Sequence, residues 1–235
     1  MNLMNGKVVI VTGGARGIGK AVARLLAAHG AVVVATSRKA RAFPSRTAVG
    51  GGGVLAAPLD VRDEKSVLRL FAWVDKSFGH VDVLVNNAGI GVFKPFEKVS
   101  EREARDVLDT NVLGALLCAR EAFRRMKARG GGRIVNVGSV ADHVPLPLNA
   151  VYAASKHALR GLTASLNEEG KAHGVRVTLV SPGATSTEIW EGRKGFSSKD
   201  MLLPEDVAES VLDVARRPLR VRIDEVRVLP PKGVL

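Results

Sequence analysis

Tyr152 and Lys156 are the two residues of this sequence whose types and spacing point most directly to chemistry. They are four residues apart in a segment with helical periodicity, so their side chains lie on one face of a helix. A phenol with a pKa near 10 transfers protons poorly at neutral pH, but a neighbouring ammonium lowers that pKa by about 1–3 units. The spacing is compatible with a general acid/base that uses Tyr152, the sole tyrosine, but does not by itself establish one. An ordinary amphipathic helix could carry the same pair.

Other reactive residue types fit a catalytic pattern less well. Ser139, Asp142 and His143 could suggest a hydrolase triad, but they fall in one short segment that lacks the Gly-x-Ser-x-Gly turn of such enzymes. Cys118 lies inside a predicted helix and is expected to serve packing or an interface. The remaining histidines are scattered singly, so we expect no metal site; they are His29, His80, His157 and His173.

The first apolar run ends in a glycine-rich turn, Thr12-Gly13-Gly14-Ala15-Arg16-Gly17-Ile18-Gly19. Such glycines let the backbone approach a pyrophosphate, and the helix that follows directs free N–H groups at the anion. A tight strand-to-helix turn would use the same residues. A nucleoside-triphosphate loop is disfavoured because Ala21 stands where that motif needs a hydroxyl for magnesium. The turn therefore predicts a dinucleotide site.

The end of the second apolar run indicates which dinucleotide is bound. An NAD site generally places a carboxylate there, on the adenosine ribose, but no acidic residue precedes Asp60 in this chain. Arg38, helped by Arg16 or Lys39, could instead bind a 2′-phosphate through bonds worth roughly 1.5–3 kcal/mol each. We therefore predict NADP(H) in preference to NAD(H); solvated surface charges are the alternative.

Apolar runs alternate with amphipathic stretches along the whole chain, which predicts a Rossmann-type α/β fold: a doubly wound parallel sheet with helices on both faces in three layers. The predicted strands are Lys7 to Thr12, Ala31 to Thr36, Val54 to Leu59, Val81 to Val85, Arg133 to Val137, Val175 to Val180 and Glu225 to Leu229. The predicted helices are Gly17 to Ala28, Glu64 to Phe78, Ser100 to Arg129, Asn149 to His173 and one from Pro204 to before Pro218. Arg41 to Gly53 contains a proline and four consecutive glycines, so any helix there should be short or broken.

Composition sets the broad class of protein. With 235 residues, 46% of them hydrophobic, the chain can bury a full core as one domain over residues 1–235, which excludes disorder. The single cysteine, the absence of a signal-peptide pattern and the lack of an apolar run of about 20 residues predict a cytoplasmic protein. The net charge is +12, and the first 59 residues contain eight basic and no acidic side chains. The positive electrostatic field that this uneven charge produces attracts polyanions or phosphorylated small molecules.

Taken together, the ordered motifs resemble those of the short-chain dehydrogenase/reductase family from Lys7 to about Thr187. The matching residues are Thr12, Gly13, Gly17 and Gly19, then Asp60-Val61, Asn86-Asn87-Ala88-Gly89, Asn111, Ser139, Tyr152, Lys156, Pro182-Gly183 and Thr187.

The resemblance implies hydride transfer between a nicotinamide and a carbonyl or alcohol carbon. Tyr152 would give or take the proton, Ser139 would hold the substrate oxygen, and Lys156 would bind the nicotinamide ribose. Asn111 would help to seat a water that continues the proton relay. The residues expected to contact the cofactor are Gly13, Arg16, Gly17, Ile18, Gly19, Ser37, Arg38, Asp60, Val61, Asn87, Ala88, Gly89, Tyr152, Lys156, Pro182, Gly183 and Thr187.

The resemblance also places a substrate lid at about Ala184 to Leu203, which contains Trp190 and Phe196. The wall of the substrate site is expected to gain apolar surface from Val92, Phe93 and the stretch from Val144 to Leu148. A moderately apolar ketone or acyl-type substrate is therefore expected. Similarity to 3-oxoacyl carrier-protein reductases would suit the basic surface, because that carrier is acidic.

Family members often assemble, and a homodimer or homotetramer through the helices Ser100 to Arg129 and Asn149 to His173 is implied here. The chain departs from the 3-oxoacyl carrier-protein reductases at the interrupted segment around Pro44 and at the proline-rich ending from Leu229 to Leu235, and this ending argues against a second interface. The rival functions are a non-catalytic NADP-binding regulator and a nucleic-acid-binding protein. Nucleic-acid binding would favour aromatic residues among the basic ones, yet aromatic residues make up only 4% of the chain, and no membrane partner is expected.

Overall fold

The computed structural model describes residues 3–44, 52–188 and 197–234 of the chain. Within this part, seven strands form one parallel sheet in the order β3-β2-β1-β4-β5-β6-β7. The strands are β1 (Val8–Val11), β2 (Val32–Ser37), β3 (Gly53–Pro58), β4 (Val83–Asn86), β5 (Gly132–Val137), β6 (Val175–Pro182) and β7 (Glu225–Val228). The central strands are rich in valine and buried on both faces, as helix-covered parallel strands are.

Six α-helices connect these strands in the described ranges. They are α1 (Gly17–Ala28), α2 (Glu64–Phe78), α3 (Glu101–Leu108), α4 (Gly114–Arg129), α5 (Ala150–Gly170) and α6 (Pro204–Ala215). None of the helices described is long and apolar enough to cross a membrane.

The helices cover the sheet on both faces, which confirms the predicted three-layer α/β/α fold. One buried cluster joins α1 and α6 to one face of the sheet through Val22, Leu26 and Val211. The other cluster joins α2 and α4 to the opposite face through Leu70, Phe71 and others. Helix α5 packs beside α4 and against β6.

The strand order reverses at β1, which pairs with β2 on one side and with β4 on the other. In open parallel sheets a crevice forms outside the carboxyl ends of the strands at such a switch point. The segments that follow β1, β4, β5 and β6 all emerge at that edge, so the sheet topology brings motifs from distant parts of the sequence together.

The predicted helix from Ser100 to Arg129 is continuous but not uniform. Ser100 and Glu103 form the predicted capping box at its start, and Gly130 ends it with a left-handed φ of 88°. Between α3 and α4, residues Asp109–Leu113 form one π-helical turn. Periodicity did not predict this turn, which contains Asn111; π-turns inside α-helices often occur at functional sites.

Most other predicted elements are confirmed within one or two residues. The predicted helix from Asn149 to His173 ends as α5 at Gly170 and continues as a 3₁₀ turn, Lys171–His173. Between β2 and β3 the described residues contain no helix, in line with the expectation for Arg41 to Gly53. Residues 45–51 of that segment lie outside the described residues.

Candidate active site

The glycine turn after β1 is built so that side chains are excluded from it. Gly13 has a φ of 65° and Gly17 a φ of 48°, values that L side chains rarely adopt. A Cβ on Gly19 would lie 2.4 Å from both Asn87 Nδ2 and the Gly13 carbonyl oxygen, so only glycine fits there. The loop thereby exposes backbone rather than side chains to the crevice.

The amino end of α1 is left open toward this turn. Arg16 is its N-cap residue, its side chain makes no capping bond, and no acidic residue lies in the first turn. The free N–H groups and the positive end of the helix dipole therefore suit an anion. Arg16 is exposed and Ile18 is partly buried, as residues beside a bound dinucleotide would be.

The segment after β4 is locked to the glycine turn. The Thr12 hydroxyl accepts from the backbone N–H groups of Asn87 and Ala88, each at 3.0 Å. The Asn87 amide donates to the carbonyl oxygens of Thr12 at 2.9 Å and Gly13 at 3.2 Å. These bonds fix the two loops that border the crevice at the switch point.

Ser37 and Arg38 lie at the end of β2, beside Asp60 at the end of the neighbouring β3. The hydrogen bond from the Arg62 side chain is the main cause that holds the pKa of Asp60 below its ordinary value, and the charge of the exposed Arg38 adds the smallest contribution. The Arg62 guanidinium binds both Asp60 oxygens, at 3.0 and 2.8 Å. Val61 is buried next to this pair.

Asn111 is buried in the π-turn, and its side chain contacts both the β4 loop and α5. Its Oδ1 accepts from the Ile90 N–H at 2.8 Å, and its Nδ2 donates to the Ile90 carbonyl at 2.8 Å and to Ser155 Oγ at 3.0 Å. The side chain thus fixes the loop that follows Gly89 against the helix of Tyr152. Both polar atoms of the Asn111 side chain thus contact protein groups.

Tyr152 and Lys156 lie on one face of α5, as predicted, with Lys156 Nζ 5.6 Å from the centre of the Tyr152 ring. The Tyr152 ring also packs against Phe93, with 5.5 Å between ring centres. Lys156 is buried, and its ammonium donates to the Val137 carbonyl at 2.8 Å. Burial lowers the pKa of Lys156 to about 8, with the charge of Asp142 acting in the opposite direction.

Ser139 follows β5 and begins a 3₁₀ turn, Val140–Asp142, that packs against α5. Its hydroxyl accepts from the Ala141 N–H at 3.2 Å. His143 does not contact Ser139; its two ring nitrogens lie 2.5 Å from Asp142 Oδ1 and 3.0 Å from Glu225 Oε1. With both nitrogens engaged by carboxylates, His143 cannot act as the base of a hydrolase triad with Ser139.

The end of β6 closes the crevice on its other side. The Gly183 N–H donates to the Val228 carbonyl at 2.8 Å, which fixes Pro182 and Gly183 beside β7. Thr187 reaches across to the glycine turn, since a Cβ on Gly17 would lie 3.3 Å from Thr187 Cγ2. The predicted lid begins here, and its residues 189–196, with Trp190 and Phe196, lie outside the described residues.

Known proteins are similar to this chain in sequence. The family model described as short chain dehydrogenase matches residues 7–195. A farnesol dehydrogenase of Aedes aegypti is 37% identical over 240 residues, which cover 98% of each chain. The chain belongs to the short-chain dehydrogenase family. It is an oxidoreductase of that family, and its predicted fold and enzyme class are confirmed.

Solved structures of family members agree. A metagenomic short-chain oxidoreductase crystallised in complex with NADP is 32% identical with a TM-score of 0.80, covering 97% of this chain and 98% of that one. An alcohol dehydrogenase from the archaeon Thermococcus sibiricus, complexed with 5-hydroxy-NADP, is 29% identical with a TM-score of 0.83, covering 94% and 95%. In both of these proteins the fold holds a nicotinamide cofactor.

Sequence reasoning about this short-chain dehydrogenase missed two groups near the site. Asp142 was considered only as part of a triad, yet it is fully buried behind Ser139. Glu225, in β7, contacts His143 although 82 residues separate them in sequence. Gly138 is a local sequence signal for the position of Asp142, because a Cβ there would lie 2.3 Å from Asp142 Oδ2.

Cys118 is buried as expected, and burial raises its pKa to about 12. Among the described residues, no group of three or more potential ligands could hold a metal.

Proposed function

We propose that this enzyme interconverts a carbonyl compound and an alcohol with NADP(H), with Tyr152 as the general acid/base. The observation that carries the proposal is the face of α5 on which Tyr152 and the buried Lys156 lie together, next to the turn of Ser139. A positive charge this near favours the phenolate over the phenol. A group so placed can release and take up a proton at neutral pH.

The residues present fit a nicotinamide dinucleotide. A Cβ at Gly19 would clash with Asn87 and Gly13, so that position keeps the turn clear for a pyrophosphate, and the amino end of α1 is uncapped. Gly13, Gly17, Gly19 and Ile18 would hold the pyrophosphate, Asp60 and Val61 the adenine, and Lys156 the nicotinamide ribose. When bound, the cofactor supplies or accepts the hydride. Asn87, Ala88, Gly89, Pro182, Gly183 and Thr187 would border it.

In this proposal each residue of the chain has a separate task. Ser139 binds the substrate oxygen and thereby orients the reacting carbon. Tyr152 donates the proton to that oxygen during reduction and removes it during oxidation. Asn111 holds the Ile90 backbone and Ser155 together, which keeps the loop after Gly89 aligned with α5.

We propose NADP(H) as the preferred cofactor because Arg38 and Arg16 are both exposed at the crevice edge, at the end of β2 and the start of α1. The NADP in the two related crystal structures supports this choice. The adjacent Asp60 carboxylate is neutralised by Arg62, so it does not oppose a 2′-phosphate.

For the substrate we propose a moderately apolar carbonyl or alcohol. The exposed Leu148 and the partly buried Val92 and Phe93 offer apolar surface near Tyr152. The relative named for farnesol dehydrogenation supports an apolar alcohol, and the basic surface supports an acyl group carried by an acidic protein. We further propose a single domain with a lid at about residues 184–203, a cytoplasmic location and a homo-oligomer.

The test is a panel assay by absorbance at the nicotinamide band. Apolar ketones, a 3-oxoacyl thioester and farnesol are each offered with NADPH or NADP⁺, and separately with NADH or NAD⁺. We expect turnover with an apolar member of the panel. Tyr152→Phe should lower kcat by about 10²–10⁴-fold, a far larger change than that in the Kd for NADPH, because Tyr152 is only one of many residues expected to contact the cofactor. Full turnover in that variant would remove Tyr152 from the mechanism.

Two rival functions predict different results. A non-catalytic NADP-binding regulator would bind NADPH but turn over no substrate of the panel. A nucleic-acid-binding protein would bind labelled DNA or RNA with strong salt dependence after nuclease treatment.

A further inference from the structure

Behind the face of the site that holds Ser139 lies a buried carboxylate that the mechanism above does not use. Asp142 ends the 3₁₀ turn after β5, and none of its surface is exposed. One oxygen, Oδ2, accepts from the Ser139 N–H at 3.0 Å and from Ser181 Oγ at 2.7 Å. The carboxylate therefore joins the turn of Ser139 to the neighbouring strand β6.

The second oxygen of Asp142 begins a charged chain that leads out of the site. Oδ1 lies 2.5 Å from Nδ1 of His143, whose Nε2 lies 3.0 Å from Glu225 Oε1 in β7. Arg160 of α5 lies 3.8 Å from the other oxygen of Glu225. The contacts thus run from Asp142 through His143 and Glu225 to Arg160.

Asp142 also carries the negative charge that acts on Lys156. The Lys156 ammonium is buried, and the bond it makes is to the neutral carbonyl of Val137. A buried cation without a counter-charge is costly, because neutral dipoles replace lost water only in part. Asp142 opposes the effect of burial on the Lys156 pKa, and the ring of Tyr152 also faces the ammonium.

The backbone makes room for this carboxylate. A Cβ on Gly138 would lie 2.3 Å from Asp142 Oδ2 and 3.0 Å from Ser181 Oγ. Any side chain at position 138 would therefore displace Asp142 from the Ser139 N–H. The glycine and the aspartate form one structural unit.

We propose that Asp142 is a positioning residue of the reaction: it fixes the turn that presents Ser139 and provides the counter-charge of the buried Lys156 ammonium. His143 and Glu225 hold the carboxylate in place and link it to the edge strand β7. This inference rests on the proposed function, since Ser139 and Lys156 are the groups through which Asp142 acts.

The test is Asp142→Asn, which keeps the shape and removes the charge. Lys156 then loses its counter-charge, so its proton leaves at lower pH. We expect kcat to fall at least about tenfold, and the pH at which kcat declines on the alkaline side to move down by about one unit. The KM for substrate should rise as well, because a neutral amide oxygen accepts from the Ser139 N–H and Ser181 Oγ more weakly than a carboxylate oxygen does.

Asp82→Asn is the matched control. Asp82 is also buried, accepts from a backbone N–H (Val8, 2.9 Å) and lies 3.0 Å from a histidine nitrogen (His80), but it precedes β4 at the opposite end of the strands. We expect it to lower the Tm while leaving kcat and its pH profile unchanged. If Asp142→Asn changes stability only, as this control does, the proposal is overturned.

A measurement without substrate separates this proposal from the proposed function. In the cofactor-free protein, the Lys156 ammonium is titrated by ¹⁵N NMR, with Lys156→Met to assign its signal. We expect its midpoint to fall in Asp142→Asn and to stay in place in Asp82→Asn. This result would support the role of Asp142 even if no substrate of the panel reacted; an unmoved midpoint would contradict it.

If Asp142→Asn fails to fold, His143→Gln is the second test. The substitution removes the imidazole that joins Asp142 to Glu225, so the carboxylate and the turn of Ser139 are held less firmly. We expect the KM for substrate to rise, and an unchanged KM in a folded His143→Gln protein would overturn the proposal.

Discussion

Arg38 is the residue on which we expect cofactor choice to depend. It is exposed at the end of β2, and its positive charge makes a small contribution to the lowered pKa of Asp60 at the end of β3. Arg38 therefore lies close to the expected adenosine site. Arg38→Asp should lower kcat/KM for NADPH by about tenfold to a hundredfold, the worth of a charge-assisted bond. The value for NADH should rise, because a carboxylate can bind the ribose hydroxyls.

Arg220→Asp provides the control for this substitution. It makes the same change of charge on an exposed residue of the loop before β7, at the other end of the strands. Both cofactors should keep their kcat/KM values in that variant. An equal loss of NADPH activity in the two variants would mean that the overall charge, and not Arg38, is responsible.

Lys156 should give the protein a characteristic pH dependence of stability. Burial lowers the pKa of Lys156 to about 8 in the native state, whereas an unburied lysine has a pKa of 10.5. Between these values the unfolded chain holds a proton that the native protein has released, so the contribution of Lys156 to stability rises with pH. The full change corresponds to about 3 kcal/mol.

Lys156→Met isolates this contribution from other titrating groups. The difference in unfolding free energy between the two proteins, measured by denaturant titration from pH 7.5 to 10, should move in favour of the parent as pH rises. Activity should fall over the same range, because the ammonium beside Tyr152 is lost. A difference that is constant with pH would show that Lys156 does not titrate there.

At the scale of elements, the loop between the Ser139 turn and α5 carries local backbone strain. Leu148 has a φ of 64°, in the left-handed region, and is 54% exposed, while its carbonyl accepts from the Lys94 N–H at 3.0 Å. This conformation costs a leucine about 1–2 kcal/mol. The bond to Lys94 joins the two loops that offer apolar surface near Tyr152.

Leu148→Gly should therefore leave stability nearly unchanged, because relief of strain offsets the greater entropy of the unfolded chain. Leu203→Gly is the matched control, since Leu203 is 55% exposed but has an ordinary extended backbone with φ −81°. Leu203→Gly should lower the free energy of unfolding by about 1 kcal/mol. Equal losses in the two variants, measured by urea titration, would mean that the Leu148 backbone is not strained.

For the whole molecule, we expect assembly through α4 and α5. Leu113 and Leu116, in the π-turn and α4, are 43% and 38% exposed. Small exposed residues of α5, such as Ala154 and Ala158, would allow close approach of a second copy. Light scattering should give a mass of at least twice the 24.9 kDa of one chain.

Leu116→Arg should shift this mass toward that of a monomer, because it introduces a charge into the proposed interface. Leu219→Arg, at a residue that is 37% exposed in the loop before β7, should leave the mass unchanged. A monomeric parent protein would refute assembly altogether, and an unaffected Leu116→Arg oligomer would exclude this face.

Much of the fold and of the candidate site could be predicted from the sequence, because the signals are local. Valine-rich runs mark buried parallel strands, the Ser100 and Glu103 pair marks a helix start, and the turn from Thr12 to Gly19 marks an anion-binding helix end. In each case the residues that cause the feature are neighbours in the chain, so the sequence alone determined the α/β class and the grouping of the family motifs.

Only the tertiary structure decided how distant residues act on one another. The π-turn at Asn111 arises where the side chain bonds to Ile90 and Ser155, 21 and 44 residues away. Asp142 becomes a partner of Ser181 because β5 and β6 pair in parallel, and His143 reaches Glu225 because β7 lies at the edge of the same sheet. Such contacts depend on packing across the sheet, which leaves no periodic or local pattern in the sequence, and they determine where the charges around Lys156 lie.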